Sequence, residues 1–375
     1  MQIVQDYLIK RGIIDPWKIE PCPHIKFNQA VVIPAFGESE YLPLTLASLN
    51  TNISSILKET LVIIVVNNAS DTAESIKNDN QVTLQALNTS DYHFTLGIVD
   101  AASSNLALPY RQAGVGLARK IGMDLALAHL LSTDSLIFCT DADTIVSKDY
   151  IEKVKKYFDT TKAKAAVVSF QHQKPDDPKQ EETIRQYEDY LLTTAEKMWD
   201  AGSPYGYVAM GSTMVCTSQA YCAVGGMPRK KATEDFYFLQ ELSKYNSVHT
   251  VSDILVFPSP RPISRVYLGT GFRMEQAQKG FDINSLYYSD TAFQLLSKWI
   301  ALGSNSYQVE LSLLITQMAD IHFYLSDFLI KEGIKDIWKN LQKNVPSKSH
   351  FSKQFHRWFD GLKTIRLLKH FSEIE

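Results

Sequence analysis

Short apolar runs alternate with helix-like segments along the first half of the chain. Between the runs, apolar residues recur at helical spacing, as Leu117, Ile121 and Leu125 do within 114–131. An apolar run of four to eight residues fits a strand that is buried on both faces. Strands alternating with helices predict βαβ units and a mostly parallel sheet. The runs stand at 30–36, 61–68, 94–101, 135–140 and 165–170.

A region of different character follows these units. Further strand-like runs stand at 212–216 and 248–257, and helical spacing covers 181–202. From about residue 276 onward the pattern is mostly helical. We therefore expect an α/β domain over 1–275, with a mostly parallel sheet flanked by helices, followed by a helical C-terminal region over 276–375.

The composition excludes several classes of protein. Of the 375 residues, 45% are hydrophobic and 21% are charged, which is typical of a globular protein with a large core. The net charge of -3 and the lack of zinc-finger spacing argue against a nucleic-acid partner. None of the four cysteines forms a Cys-x-x-Cys pair, so we expect a reducing, cytoplasmic location. We predict no signal peptide and no membrane-spanning segment.

Two aspartates follow the fourth apolar run. Asp141 and Asp143 are two residues apart, so in an extended backbone their side chains point the same way. Two carboxylates held together repel each other, and a divalent cation is the strongest candidate to relieve that repulsion. An ordinary turn, in which aspartate bonds to nearby backbone, is the competing interpretation.

Polar side chains also follow the first and second predicted strands. Glu38 closes the stretch Pro34-Ala35-Phe36-Gly37-Glu38, and Asn67 and Asn68 end the second strand. The carboxyl ends of parallel strands meet at one edge of an open sheet, where ligands bind. Amide side chains carry both donors and acceptors, which suits recognition of a nucleotide base. Turn-forming roles would account for the same residue types.

Taken in order, these stretches resemble those of family 2 glycosyltransferases, which have the GT-A fold. The resemblance covers roughly residues 28–275. The family usually has a pair of acidic residues at the end of the second strand, where this chain has Asn67 and Asn68, which puts a uracil-containing donor in doubt. The matching motifs are Pro34–Glu38, Ala118-Arg119-Lys120-Ile121-Gly122, Asp141-Ala142-Asp143, Gly225-Gly226 and Thr233-Glu234-Asp235.

The resemblance implies metal-dependent transfer of a sugar, with inversion, from a nucleotide-diphosphate-sugar donor to an unidentified hydroxyl acceptor. Mg²⁺ or Mn²⁺ would bind Asp143, and Asp141 would bond ribose or reach the metal through water. Arg119 would add positive charge near the diphosphate. The implied donor-binding residues are Pro34, Ala35, Phe36, Glu38, Asn67, Asn68, Arg119, Asp141, Ala142, Asp143, Arg261 and Arg265.

The same resemblance identifies the catalytic carboxylates. Displacement at the sugar needs a base that takes the proton of the acceptor hydroxyl, and Asp235 matches the family's base, with Glu234 as the second candidate. A structural role at the start of a helix, with Thr233 as N-cap, is the alternative. The basic loop 257–274 would close over the diphosphate and exclude water.

Two other functions remain open from the sequence. A phosphatase of the haloacid dehalogenase type also has an Asp-x-Asp after an apolar strand, although that family puts it on its first core strand. A catalytically degenerate protein that only binds a nucleotide or glycan is the other alternative. Retention of Asp141, Asp143 and Asp235 together argues against it, since a binder needs no base.

The C-terminal stretch 350–371 has apolar residues at helical spacing together with five cations. Such a basic amphipathic helix predicts weak peripheral contact with the inner face of a membrane. Packing of the same face on the rest of the protein is the competing interpretation. The apolar residues are Phe355, Trp358, Leu362, Ile365 and Leu368, and the cations are Lys353, Arg357, Lys363, Arg366 and Lys369.

Overall fold

The computed structural model describes residues 2–13, 15–89, 91–263, 267–343 and 345–374. It divides into two compact units. The first comprises Met1–Glu188 and Ala209–Phe281, and the second comprises Asp189–Val208 and Asp282–Glu375. The sequence-based split into 1–275 and 276–375 stays a prediction about domains, because these compact units are not contiguous along the chain.

An eight-stranded sheet forms the centre of the first unit, in the order β3-β2-β1-β4-β7-β6-β8-β5. Among the described strands, four pairings are parallel and three are antiparallel. The predicted α/β class is therefore confirmed. The strands are β1 (Gln29–Ala35), β2 (Thr60–Asn67), β3 (Thr95–Ala101), β4 (Leu136–Cys139), β5 (Ile145–Val146), β6 (Ala165–Phe170), β7 (Met214–Thr217) and β8 (Val248–Phe257).

The β-branched runs of the sequence became the buried middle of this sheet. Strands β1 and β2 are buried along their whole length, as expected for parallel strands covered on both faces. Strand β7 runs antiparallel to both of its neighbours, β4 and β6, which makes the sheet mixed. The carboxyl ends of β1, β2 and β4 lie side by side, because β1 pairs in parallel with both of the others.

Ten helices belong to the first unit, wholly or in part, within the described residues. One of them, α7, has residues in both units. The ten are α1 (Gln2–Arg11), α2 (Leu42–Asn50), α3 (Ser54–Leu57), α4 (Glu74–Leu87), α5 (Val115–Leu127), α6 (Tyr150–Thr161), α7 (Pro178–Asp200), α8 (Ser218–Ala223), α9 (Glu234–Tyr245) and α10 (Thr270–Gln278).

Helix α5 is buried on all sides and packs tightly on the sheet. A Cβ atom at Gly122 would lie 2.5 Å from Val32 and 2.9 Å from Val65, so glycine lets the helix approach strands β1 and β2 closely. The helix also buries the charged residues Arg119, Lys120 and Asp124. Buried charges of this kind require partners, and each has them.

A buried polar network ties α5 to the N-terminal helix α1. Asp124 accepts hydrogen bonds from the hydroxyls of Tyr7 and Tyr221 at 2.7 and 2.6 Å, and from the backbone N–H of Ile13 at 2.8 Å. Lys120 lies 2.9 Å from the same carboxylate. Asp124 therefore neutralises the one cation of this network and fixes two further elements against α5.

The second unit is helical, as the sequence predicts for the C-terminal region. Its core combines α11 to α16 with residues from the end of α7, and it centres on Trp299, Phe351, Phe355 and Phe359. The six helices are α11 (Asp290–Asn305), α12 (Leu311–Ile321), α13 (Leu325–Lys331), α14 (Ile334–Gln342), α15 (Lys348–Trp358) and α16 (Gly361–Ile374).

The stretch 350–371 forms parts of two helices, α15 and α16, rather than one. Phe355 and Leu368 are buried in the core of the second unit, and Trp358 packs against it. Much of the apolar face that was predicted to contact a membrane is thus packed inside the second unit. The described residues give no support for the membrane contact. Within the described residues, no helix combines the length and apolar character needed to span a bilayer.

We predict that Asp124→Asn lowers the free energy of unfolding by about 3 kcal/mol, because it leaves the buried Lys120 ammonium without its counter-ion. The matched control is Asp159→Asn, which removes the exposed partner of Lys155. That change should cost less than about 1 kcal/mol. Urea unfolding of both variants measures the difference, and equal losses would contradict this role for Asp124.

Candidate functional site

The loop after β1 is held in place by helix α4. The backbone N–H of Gly37 donates to the side-chain oxygen of Asn80 at 3.0 Å, and the N–H and hydroxyl of Ser39 donate to Asp79 at 3.0 and 2.6 Å. Gly37 has a φ of 64°, a left-handed conformation that favours glycine. Asp79 and Asn80 thus shape the predicted donor loop, although the sequence analysis did not identify either residue.

Asn80 also joins the ends of β1 and β2. Its side-chain NH₂ donates to the carbonyl of Asn67 at 3.0 Å and to the side-chain oxygen of Asn68 at 2.8 Å. The NH₂ groups of Asn67 and Asn68 donate in turn to backbone carbonyls, including that of Ala35. Both asparagines are buried. These bonds give the pair a role in holding the strand ends, and recognition of a base by either one stays a prediction.

Asp141 and Asp143 lie at the end of β4, and each carboxylate contacts a different arginine. Asp141 accepts a hydrogen bond from Arg119, and Asp143 accepts one from Arg261. Both carboxylates retain solvent access, with 36% and 23% of the side chain exposed. Ala142 between them is buried, and its carbonyl accepts the Thr45 hydroxyl at 2.8 Å.

Arg261 connects three parts of the site. Besides Asp143 it donates to both carboxylate oxygens of Glu38, at 3.1 and 2.9 Å, and its guanidinium lies 3.7 Å from the centre of the Tyr41 ring. Gln173 supports this arrangement by donating to the carbonyls of Asp143 and Phe257, both at 2.8 Å. The structure therefore brings the β1 loop, the Asp-x-Asp and the basic loop together, and donor binding by Arg261 stays a prediction.

The other predicted donor residues have less distinctive positions. Pro34 and Ala35 belong to the buried end of β1, and Phe36 follows them at the start of the loop. Arg265 lies outside the described residues, so its prediction is not addressed by the structure.

Arg119 joins the Asp-x-Asp to the acidic pair at the start of α9. Its side chain is 3% exposed, and it donates to both Asp141 and Glu234. Gly211 leaves the space that the guanidinium occupies, since a Cβ atom there would overlap it. A buried arginine whose two terminal nitrogens each bond a different carboxylate fixes the relative positions of both. Asp141 and Glu234, which lie 22 and 115 positions after Arg119 in the sequence, thereby share one site.

Glu234 and Asp235 begin α9 in different surroundings. Glu234 is buried, whereas Asp235 keeps some exposure and accepts the N–H of Phe236 at 2.7 Å. Thr233 precedes the helix as predicted, but its hydroxyl donates to the carbonyl of Ala232 and does not cap the helix. Thr233 thus has the predicted N-cap position, but with φ of 64° it is left-handed, and its side chain forms no capping bond.

Burial dominates the electrostatics of this acidic pair. It raises the pKa of Glu234 to about 7 against the opposing effect of Arg119, and repulsion from Asp235 adds to the rise. Burial likewise raises the pKa of Asp235, although Arg119 and the Phe236 N–H lower it. Two carboxyl groups with raised pKa values in one site are candidates for acid–base catalysis.

Several buried polar atoms next to these residues have no hydrogen-bond partner within the described chain. They flank the Asp-x-Asp on both sides or adjoin the Arg119 guanidinium. The atoms are Thr140 Oγ1, Thr144 Oγ1, Ser212 Oγ and Arg119 Nε.

The site offers only a partial set of metal ligands. Among the described residues, no group of three or more His, Cys, Asp or Glu side chains converges to hold a metal. Asp143 and Asp141 nevertheless fit Mg²⁺ or Mn²⁺ in the way typical of nucleotide sites, where one or two carboxylates act together with substrate phosphates and waters. The contact of Asp143 with Arg261 marks that carboxylate as a position where a cation is stabilised.

The chain is similar to solved structures of proteins that bind nucleotide sugars. One is S. aureus TarS 1–349 in complex with UDP-GlcNAc, at 12% identity and a TM-score of 0.46, over 89% of this chain and 90% of that one. Another is the mannosyltransferase PcManGT from Pyrobaculum calidifontis in complex with GDP-Man and Mn²⁺, at 12% identity and a TM-score of 0.43, over 94% and 92%. No protein-family model and no curated protein sequence matches the chain.

We predict that Arg119→Gln raises the pKa values of Glu234 and Asp235, because the arginine is the cation that lowers both. Carboxyl ¹³C NMR titration of labelled protein measures the shift. Arg185→Gln is the matched control, since it removes a guanidinium from a different buried carboxylate, Glu188. An unchanged titration in Arg119→Gln would contradict the assigned electrostatic coupling.

Proposed function

We propose that this chain is a metal-dependent glycosyltransferase that moves a sugar, with inversion, from a nucleotide-diphosphate-sugar to a hydroxyl acceptor. The observation that carries the proposal is the bridge formed by Arg119 between Asp141 and Glu234. It puts the Asp-x-Asp, which would bind the metal and the diphosphate, within one side chain's reach of a pair of candidate bases. Sugar transfer from such a donor needs both functions in one site.

The residues at the strand ends suit the donor's diphosphate. Asp143, with help from Asp141, would hold Mg²⁺ or Mn²⁺, and such an ion stabilises the charge of the departing diphosphate when bound. Arg261 lies beside the same carboxylate and would contact the phosphates directly once it is released from Asp143. Glu38 and Tyr41 keep this guanidinium at the site throughout.

Asp235 is the better placed of the two candidate bases. A base must reach the acceptor hydroxyl, and Asp235 keeps some exposure, whereas Glu234 is buried and contacts Arg119. Glu234 is then a positioning residue that orients Arg119. A single base acting on the acceptor is what a direct displacement with inversion requires.

The loop after β1 and the ends of β2 and β4 would form the nucleotide side of the site. Pro34, Ala35 and Phe36 lead into Glu38, and Ala142 separates the two aspartates. We keep Asn67 and Asn68 in this set, with roles in shaping the pocket wall through Asn80. We also propose a cytoplasmic location, which fits four cysteines that are all free.

The phosphatase alternative is not favoured. A phosphatase of that type needs its first aspartate as a free nucleophile, whereas Asp141 contacts a buried arginine. Strand β4 also follows three other strands in the chain. The other alternative is a protein that binds a nucleotide or glycan without activity. Such a protein would not need Glu234 and Asp235, a second pair of carboxyl groups whose pKa values are raised.

A panel of nucleotide-diphosphate sugars tests the proposal. Each donor, including UDP-GlcNAc and GDP-mannose, is added with Mn²⁺ and the thermal unfolding of the full chain is followed. A matching donor at a hundred times its dissociation constant stabilises the fold by about 2.7 kcal/mol. No shift with any donor, with or without metal, would contradict the proposed function.

We predict that Asp143→Ala weakens Mn²⁺-dependent donor binding by about 100-fold and leaves the fold intact, because it removes the protein's metal ligand. Calorimetric titration of donor in the presence of Mn²⁺ measures the affinity. Asp149→Ala is the control, since Asp149 pairs with Lys153 away from the described site residues. Unchanged donor affinity in Asp143→Ala would assign the metal to another residue.

We predict that Asp235→Asn keeps donor binding and lowers turnover by about 10²- to 10⁴-fold, since an amide cannot accept the proton. Turnover is read as nucleotide release, and Asp253→Asn is an exposed control. In the wild type, activity should fall as the pH drops through the raised pKa of Asp235, because the base is then protonated. Normal turnover in Asp235→Asn would transfer the role to Glu234.

A further inference from the structure

A buried histidine, His172, follows strand β6 and lies outside every motif of the proposed site. None of its side-chain surface is exposed. Its Nδ1 lies 2.9 Å from Oε1 of Glu188 on α7, and its Nε2 lies 3.1 Å from the hydroxyl oxygen of Thr270 at the start of α10. The ring also meets that of Phe170 edge to face, with 5.4 Å between the ring centres. One imidazole thus joins the end of β6 to two helices.

Glu188 sets the direction of both hydrogen bonds of this imidazole. Burial raises the pKa of the Glu188 carboxyl group, but the bonds from His172 and Arg185 outweigh burial and hold that pKa below its ordinary value. Arg185 donates to both carboxylate oxygens, at 2.8 and 2.6 Å, and to the carbonyl of His172 at 2.9 Å. An ionised carboxylate only accepts, so Nδ1 of His172 donates to it. In the neutral imidazole, Nε2 then accepts the hydroxyl of Thr270.

The first residues of α10 pack against the segment that carries Arg261. A Cβ atom at Gly271 would lie 2.2 Å from the carbonyl oxygen of Ile263 and 3.3 Å from that of Arg261, so glycine permits a direct contact between the two backbones. The N–H of Ile263 donates to the carbonyl of Arg261 at 2.9 Å, which closes a three-residue turn. Because Thr270 precedes Gly271, a shift of Thr270 would displace the backbone of this turn.

Two glutamines hold the same segment ahead of Arg261. The backbone N–H of Gln173 donates to the carbonyl of Pro258 at 2.9 Å. The side chain of Gln180, on α7, donates to the carbonyl of Pro260 at 2.7 Å. These bonds act on the residues before the arginine, whereas the contact with α10 acts on the arginine and the residues after it.

We propose that His172 is a positioning residue of the donor site and acts on Arg261 through Thr270. It anchors the start of α10, and α10 in turn holds the backbone that directs the guanidinium towards Asp143. A planar group that binds two carboxylates at once is sensitive to small displacements of its backbone. The inference rests on the proposed function for the role of Arg261 towards the donor's diphosphate, whereas the anchor itself can be tested without any donor.

Hydrogen exchange of the full chain in the absence of ligands tests the anchor. In His172→Asn the shorter amide can still donate to Glu188 but does not reach Thr270, and Thr270→Val removes the hydroxyl from the other side of the same bond. Amide exchange in peptides covering 257–263 and 270–275 should be about fivefold faster in each variant, as expected for the loss of one hydrogen bond. The double variant should exchange no faster than either single variant, because both changes remove one interaction.

Two controls separate this bond from a general loss of packing. Thr270→Ser keeps the hydroxyl and should exchange at close to the wild-type rate. His249→Asn removes an imidazole that is also bonded on both nitrogens, to the hydroxyls of Tyr157 and Ser247, both at 3.2 Å, and it should leave the same peptides unchanged. Wild-type exchange in His172→Asn, equally fast exchange in Thr270→Ser and Thr270→Val, or additive effects in the double variant would each overturn the anchor.

Donor affinity tests the connection to Arg261. With Mn²⁺ and a donor identified by the panel, His172→Asn should weaken calorimetric binding by about fivefold. In an Arg261→Gln background the same change should weaken binding by less than about twofold, because His172 acts through that guanidinium. Equal weakening in both backgrounds would indicate a merely structural role and would overturn the inference.

The two measurements separate failure of this inference from failure of the proposed function. If no nucleotide sugar binds the wild type, yet exchange in 257–263 depends on His172 and Thr270, the transferase proposal fails and the anchoring of Arg261 stands. If donors bind the wild type and His172→Asn equally well, the positioning role fails and the transferase proposal stands.

Discussion

The buried guanidinium of Arg119 is the interaction on which the site depends. An ion pair in a low-dielectric interior contributes little net stability, because desolvation of both charges offsets their attraction. What it does provide here is position, since Asp141 and Glu234 must both meet one rigid, planar group. Loss of the guanidinium would leave two carboxylates facing each other without a cation. Moving the Asp-x-Asp away from the start of α9 would break one of the buried ion pairs of Arg119. These ion pairs therefore hold the two segments together.

Backbone geometry around the site depends on side chains outside the recognisable motifs. Asn80 bonds to the β1 loop and to the ends of β2, and Asp79 bonds twice to Ser39. Both residues lie on one turn of α4, so a single helix sets the shape of two strand-end loops. Rigid secondary structure that supports mobile binding loops is a common way to obtain accurate positioning.

The sequence predicted those parts of the fold that follow from local patterns. Strands β6 and β8 have their predicted bounds, because buried β-branched runs are strong local signals. Helix α4 went unpredicted, since it buries Asn80 and Thr83 and so lacks an apolar stripe. The convergence of Arg119 with Glu234 joins residues 115 positions apart, which no local pattern encodes. Individual motifs were therefore visible in the sequence, whereas their mutual contacts and the support from α4 were not.

The two arginines of the site differ in how readily they can exchange partners. Arg119 is 3% exposed and contacts two carboxylates in the interior, so moving it would strand buried charge. Arg261 is 17% exposed and contacts Asp143 at the solvent-facing edge, with Glu38 as a second partner that remains when Asp143 is taken by another cation. Asp143 is therefore the carboxylate that can exchange its arginine for another cation. Under the proposed function, Asp143 would exchange this arginine for a metal–diphosphate complex without passing through an unpaired charge.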